Sequence, residues 1–134
     1  MTAIPVKTNK ENTAVSTMFG KAKYFALISN DKIEIIRNEH AGGRAVATWL
    51  KSKNVDILIT SHMGDNPFSV LLEMGIKVYF AGNERIEMND VLLKYADGEL
   101  PPLTLENFKT LMKDDLHNNR KSKNKELNKS SIFI

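Results

Sequence analysis

The stretch TSHMGDNP at residues 60–67 leaves an apolar run through Ser61, His62, Met63 and Gly64, then enters a helix-forming segment at Asp65, Asn66 and Pro67. A neutral imidazole such as His62 can ligate iron or zinc. The helix start just beyond it presents unpaired N–H groups and a partial positive charge to an anion. A turn histidine can equally bond backbone or water, and the residue type alone leaves both readings open. Gly64 can supply positive φ or let a ligand approach closely, although a plain turn glycine is the commoner case. Met18 and Met63 are soft thioether donors, but methionine more often fills irregular gaps in a core. His40, just before Gly42 and Gly43, is a second imidazole able to reach the same place, and a surface turn is its commoner fate. His117 stands at the edge of a polar tail.

Other chemistry is missing from the pattern. The chain has no cysteine, which excludes disulfides and thiolate catalysis and removes the usual anchors of a resident iron–sulfur or structural zinc site. It has no GxGxxG, P-loop or HExxH, and no serine–histidine–acid order. Glu39, Asp56 and Asp65 form no recognisable acid–base set.

The elements that must position these residues follow from periodicity. Residues 2–7 read as a first strand, with Pro5 better suited to an edge than to the middle of a ladder. Residues 8–22 read as a long polar loop, a kind often functional in compact domains. Strands at 24–29 and 33–37 flank the turn Asn30-Asp31-Lys32 and predict a hairpin. Ala45, Val46, Trp49 and Leu50 give an apolar stripe at helical spacing. Val55–Thr60 and Ile76–Phe80 are continuous apolar runs, as in strands buried on both faces. Between them, Asn66 is expected to cap a helix with Pro67 at its first position, Phe68, Leu71 and Leu72 on its buried face, and Gly75 closing it. Met88, Val91, Leu92 and Tyr95 mark another helix ending at Gly98. Pro101-Pro102 break the chain before a helix over 104–116 carrying Leu105, Phe108, Leu111 and Met112. The order β, β–β hairpin, α, β, α, β, α, α predicts a mixed sheet covered by helices. Its parallel part comprises 2–7, 55–60 and 76–81. Ligands in such sheets bind beyond the carboxyl ends of the strands, which places residues 8–20, 60–66 and 81–85 around one mouth.

At 134 residues the chain fits one domain, here 1–116, with a tail at 117–134 whose composition is that of a disordered segment. Hydrophobic residues make up 42% and charged residues 26%, an ordinary globular mixture. The net charge of +3 resides in Arg120, Lys121, Lys123, Lys125 and Lys129, so the domain itself is near neutral and nucleic-acid binding is not implied. No apolar run approaches the roughly 20 residues of a membrane helix, and the start lacks a secretory pattern. A cytoplasmic protein is expected.

Four stretches carry a resemblance: AIPV at 3–6, VSTMFGKAKYFALI at 15–28, EHAGGRAVATWLKSKNVDILITSHMGDNPFSVLLEMGIKVYFA at 39–81, and KYADGEL at 94–100. In order and spacing they resemble the dinitrogenase iron–molybdenum cofactor biosynthesis family, which includes NifX-like and NafY-like proteins and the C-terminal domain of NifB. The resemblance implies a ribonuclease-H-like, three-layer α/β fold with a mixed five-stranded sheet, β-β-β-α-β-α-β-α, to which this chain adds a C-terminal helix. It implies a non-catalytic carrier of an iron–sulfur cluster or iron–molybdenum cofactor precursor, with nitrogenase or cofactor-assembly proteins as partners. The family often places a histidine before Phe-Gly in the first long loop; here that position is Met18, followed by Phe19. His62 and His40 are then the expected metal ligands, with Met18, Phe19, Met63 and Gly64 beside the cofactor. The competing readings are a metal-free small-molecule module, a protein–protein adaptor using the tail or Ser131–Ile134, and a nuclease. Against the last, the strands at 2–7 and 24–29 contain no Asp or Glu to hold magnesium.

Overall fold

The computed structural model describes residues 1–112. They form β1 (Thr2–Val6), a single 3-10 turn at Phe19–Lys21, β2 (Tyr24–Ser29), β3 (Lys32–Arg37), α1 (Gly43–Ser52), β4 (Ile57–Thr60), α2 (Asp65–Glu73), β5 (Lys77–Phe80) and α3 (Met88–Ala96). One compact unit spans Met1–Thr104, and a second begins at Leu105. In the second, residues 108–112 are helical. The rest of the helix expected over 104–116, beyond Met112, and the tail at 117–134 lie outside the described residues.

The five strands form one sheet in the order β3-β2-β1-β4-β5. β1 runs antiparallel to β2 and parallel to β4, and β4 runs parallel to β5. This is the expected mixed sheet, with strand ends moved by one or two residues. Pro5 lies in the central strand, contrary to its expected preference for an edge. β1 pairs with β4 only at Thr2 and Ala3. The Pro5 carbonyl accepts from Ser16 N–H at 2.7 Å. A residue's N–H and C=O leave a strand on the same side, so the donor Pro5 lacks falls where the β4 ladder has already ended.

Strand alternation sorts the core into two layers. Ile4, Val6, Ala26 and Ile59 pack with Met88 and Val91 of α3 on one face. Residues of opposite parity, among them Phe25 and Leu58, are buried on the other, where Phe25 meets Trp49 of α1 edge-on. Helices α1 and α2 cover that face with Val46, Leu50, Phe68 and Leu71, all essentially inaccessible. Burial of each such side chain is worth roughly 1.5–3 kcal/mol. Gly75, at φ 79°, ends α2 in the left-handed conformation that glycine adopts without penalty.

The two sheet edges differ. On the outer side of β5, Phe80 N–H donates to Pro101 O at 2.9 Å and Leu103 N–H to Val78 O at 2.8 Å. Pro101 and Pro102 therefore do more than break the chain. Pro102 opposes Tyr79 at the pair whose N–H would point away from β5, so its missing donor costs no ladder bond. Among the described residues no strand covers β3.

Candidate functional site

Helices α1 and α2 both follow or precede parallel strands and start at the carboxyl end of the sheet. There the segment after β1, expected as an irregular loop, is tied down on three sides. Lys7 N–H donates to Ala14 O at 3.0 Å, closing it on β1. Val15 N–H reaches Ile86 O at 2.9 Å and Met88 N–H reaches Thr13 O at 2.8 Å, joining it to the start of α3. The Asn12 side-chain oxygen accepts from Asn89 N–H at 2.9 Å, satisfying a donor in the first turn of α3. His62 N–H donates to Thr17 O at 3.2 Å and Phe19 N–H to His62 O at 2.9 Å. Residues 12–19, 60–64 and 86–89 thus share one rim.

The last two bonds form an isolated parallel bridge with Met18 opposite His62. Opposed residues of a parallel pair project to the same side, so thioether and imidazole leave the rim together. Met18 is 40% exposed and His62 is half-buried. Phe19 and Met63, expected beside the cofactor, have their side chains in the core. Phe19 is fully buried and meets Phe25 edge-on at 5.8 Å; Met63 is 2% exposed. The His40 ring lies against Trp49, tilted by 35° with centroids 5.2 Å apart, and the His40 backbone N–H donates to the Asn38 side-chain oxygen at 3.0 Å.

The start of α2 corrects two expectations. The helix begins at Asp65 with Gly64 as its N-cap, so Asn66 and Pro67 fall second and third. Proline is tolerated throughout a first turn because those N–H groups have no intrahelical acceptor. Gly64 has φ −77°, and a Cβ there would meet only the Pro67 ring at an ordinary 3.5 Å. It does not adopt a left-handed conformation. The crowded glycine is Gly43, where an added Cβ would lie 2.2 Å from Pro67 Cγ. Gly20 sits over the same spot, its Cβ position 3.3 Å from Gly43 N. The first turns of α1 and α2 and the 3-10 turn therefore converge through Gly20, Gly43 and Pro67, none of which is among the expected site residues. The Gly42-Gly43 doublet just before a helical stripe was the available signal. Neither helix receives a side-chain cap from its N-cap glycine, and α1 has no acidic residue in its first turn. The α1 end therefore retains the positive character that attracts anions, whereas Asp65 in the first turn of α2 offsets it there.

Among the described residues, one buried side-chain polar atom has no partner, and it lies near the rim. Thr60 ends β4, is fully inaccessible, and its hydroxyl makes no hydrogen bond. Among the described residues no three His, Cys, Asp or Glu side chains are grouped to hold a metal ion. A bare ion, which takes about four protein donors in a closed site, does not fit. One imidazole beside one thioether suits instead a single-sided hold on a preformed cluster that brings its own sulfide ligands. A cavity of about 710 Å³ opens on the α3 face, lined by Asn9, Glu11, Asn12, Ile33, Ile35, Met88 and Asn89; it borders the rim at Asn12, Met88 and Asn89, but none of the six expected site residues is among them.

Comparison with known proteins agrees with this architecture. The profile of the family described as dinitrogenase iron-molybdenum cofactor matches residues 1–98. The NMR structure of a NifB candidate from Thermotoga, placed in the DUF35 family, is 31% identical and superposes with a TM-score of 0.67 over 77% of this chain and 92% of that one. The apo form of the orange protein from Desulfovibrio gigas shares the fold at 22% identity, with a TM-score of 0.67 over 77% of this chain and 95% of its own. A dinitrogenase candidate from Methanocaldococcus jannaschii does so at 18% identity and 0.57, over 77% and 93%. No curated protein matches in sequence. Among the described residues no helix is long and apolar enough to cross a membrane.

Proposed function

Because the chain belongs to the dinitrogenase iron-molybdenum cofactor family, we propose that it is a non-catalytic carrier that holds a preformed iron–sulfur cluster or iron–molybdenum cofactor precursor at the Met18–His62 rim. The observation that carries this reading is the parallel bridge that sets an imidazole and a thioether side by side at the strand ends. Both donors are soft or borderline, as iron bound to sulfide prefers. The start of α1, which has no acidic residue in its first turn, adds a partial positive charge for an anionic cargo. With no thiolate, the hold is weaker and more exchangeable than a four-cysteine site, which suits delivery to a cofactor-assembly or nitrogenase protein in the cytoplasm. His40, whose ring lies against Trp49 of α1, is the second imidazole available to the cargo.

The test is anaerobic reconstitution of the full chain with iron and sulfide, followed by desalting and metal analysis. Wild type is expected to retain iron and inorganic sulfide together with a charge-transfer absorption band. Equal retention and equal spectra in His62→Ala would overturn the assignment.

A further inference from the structure

Beyond that reading, we propose that β3 is a self-association edge: two copies of this chain pair antiparallel through β3 about a two-fold axis at Ile33, extending the sheet across the dimer. The outer side of β3 offers the bonds. Asn38 N–H donates to Lys23 O at 2.8 Å, continuing the β2–β3 register that pairs Tyr24 with Arg37. Antiparallel pairs alternate between bonded and non-bonded. The bonded pairs are therefore Phe25 with Ile36, Leu27 with Glu34 and Ser29 with Lys32. The N–H and C=O groups of Ile33, Ile35 and Arg37 then point outward, and no described strand receives them.

The side chains select the occupant and the register. Ile33 is 47% exposed. It borders the cavity on the α3 face together with Ile35 and Met88. Lys32 and Glu34 project to the opposite face, and both are exposed. A two-fold axis normal to the sheet preserves faces, so it must pass through a residue. Centred on Glu34 it would oppose two like charges. Centred on Ile35 it would set Glu34 against Ile36 and Ile33 against Arg37, with no ion pair. Centred on Ile33 it sets Lys32 against Glu34 of the partner subunit, and Glu34 against Lys32 of the partner subunit. These are non-bonded pairs, in which opposed side chains lie closest. Ile33 meets Ile33 of the partner subunit at the axis through two backbone hydrogen bonds, which shields the exposed apolar surface. A lone lysine on an edge guards against pairing. A lysine with a glutamate two residues on opposes like charges in the register centred on Glu34 and pairs opposite charges in this one, as charge patterns that specify partners do. The interface is small, so association is weak and reversible.

Sedimentation of the full chain over a wide concentration range tests the proposal. Wild type is expected to show a monomer–dimer equilibrium that weakens with added salt. Lys32→Glu and Glu34→Lys each replace two attractive pairs by two repulsive ones, and each should weaken the dimer about tenfold or more. The double variant Lys32→Glu/Glu34→Lys restores the pairs with signs exchanged and should recover wild-type association. Circular dichroism of each variant confirms that the sheet is intact. A monomer at every concentration overturns the proposal and leaves the edge to a foreign strand or a small ligand. A dimer indifferent to the single reversals, or a double variant that stays monomeric, overturns it in favour of another surface.

Discussion

Met18 and His62 oppose one another across a one-residue parallel bridge, closed by His62 N–H to Thr17 O at 3.2 Å and Phe19 N–H to His62 O at 2.9 Å. The two side chains come from segments more than forty residues apart in sequence, yet the backbone fixes their common direction. If this pair is the hold on the cargo, its donors act together. His62→Ala is expected to lower iron retention after anaerobic desalting about tenfold, the scale on which weakened metal support is usually felt. Met18→Ala should lower it less, because a thioether is the poorer ligand. Met18→His should raise it, placing two imidazoles side by side. Iron and sulfide analysis of the desalted proteins reads all three, and unchanged retention in Met18→His would count against a paired site.

Two glycines at the same rim should behave oppositely when replaced by alanine. At Gly43 the added methyl would lie 2.2 Å from the Pro67 ring, which is too stiff to move aside. Gly43→Ala is expected to cost about 1–3 kcal/mol, as overpacking does. Gly64 has an extended φ and room for the methyl. Gly64→Ala loses a favourable N-cap residue but also reduces unfolded-chain entropy, and should change stability by less than about 0.5 kcal/mol. Urea midpoints at unchanged m-value measure both.

Thr60 offers a test of what its orphaned hydroxyl is for. A buried donor without a partner costs about 1–3 kcal/mol, and valine has nearly the same shape without it. Thr60→Val should therefore stabilise the protein by about 1 kcal/mol. If the same variant also loses iron retention, the hydroxyl serves the cargo at the expense of stability. Thermal melts of the metal-free protein, set beside retention assays, separate the two effects.

The sequence made the layers legible because their signal is local. The apolar run ending at Thr60 and the Val46–Leu50 stripe each declare their period within a few residues. So does the turn at Asn30, whose φ of 56° the hairpin requires. The rim was legible only in outline. Element order places residues 8–20 and 60–66 at one end, but nothing local shows that Thr17 and Phe19 bond the backbone of His62. Nor does a single sequence show that Pro67 presses on Gly43, since that contact depends on how closely α1 and α2 pack. Gly64 stands out before Gly43 for the same reason: position beside a histidine is visible in sequence, and steric crowding is not. Pro5 shows the limit from the other side. A propensity against central strands yields where the neighbouring ladder is short enough to leave its missing donor unused.

Tyr95 gives the fold a measurable alkaline limit. Its ring lies edge-on to Tyr79, centroids 5.0 Å apart. Burial, followed by the charges of Tyr79 and Asp56, pushes its phenol above the ordinary 10.0. The folded state therefore favours the protonated form. The linked stability is fully present below pH 10.0, the unfolded value, and is lost as pH rises from there through the folded pKa. Denaturant midpoints should fall in that alkaline window in wild type and fall less steeply in Tyr95→Phe, which keeps the ring contact and has no proton to lose. Phenolate absorbance should show one tyrosine ionising later in the folded protein than in urea. Identical alkaline slopes in wild type and Tyr95→Phe would remove Tyr95 as the source.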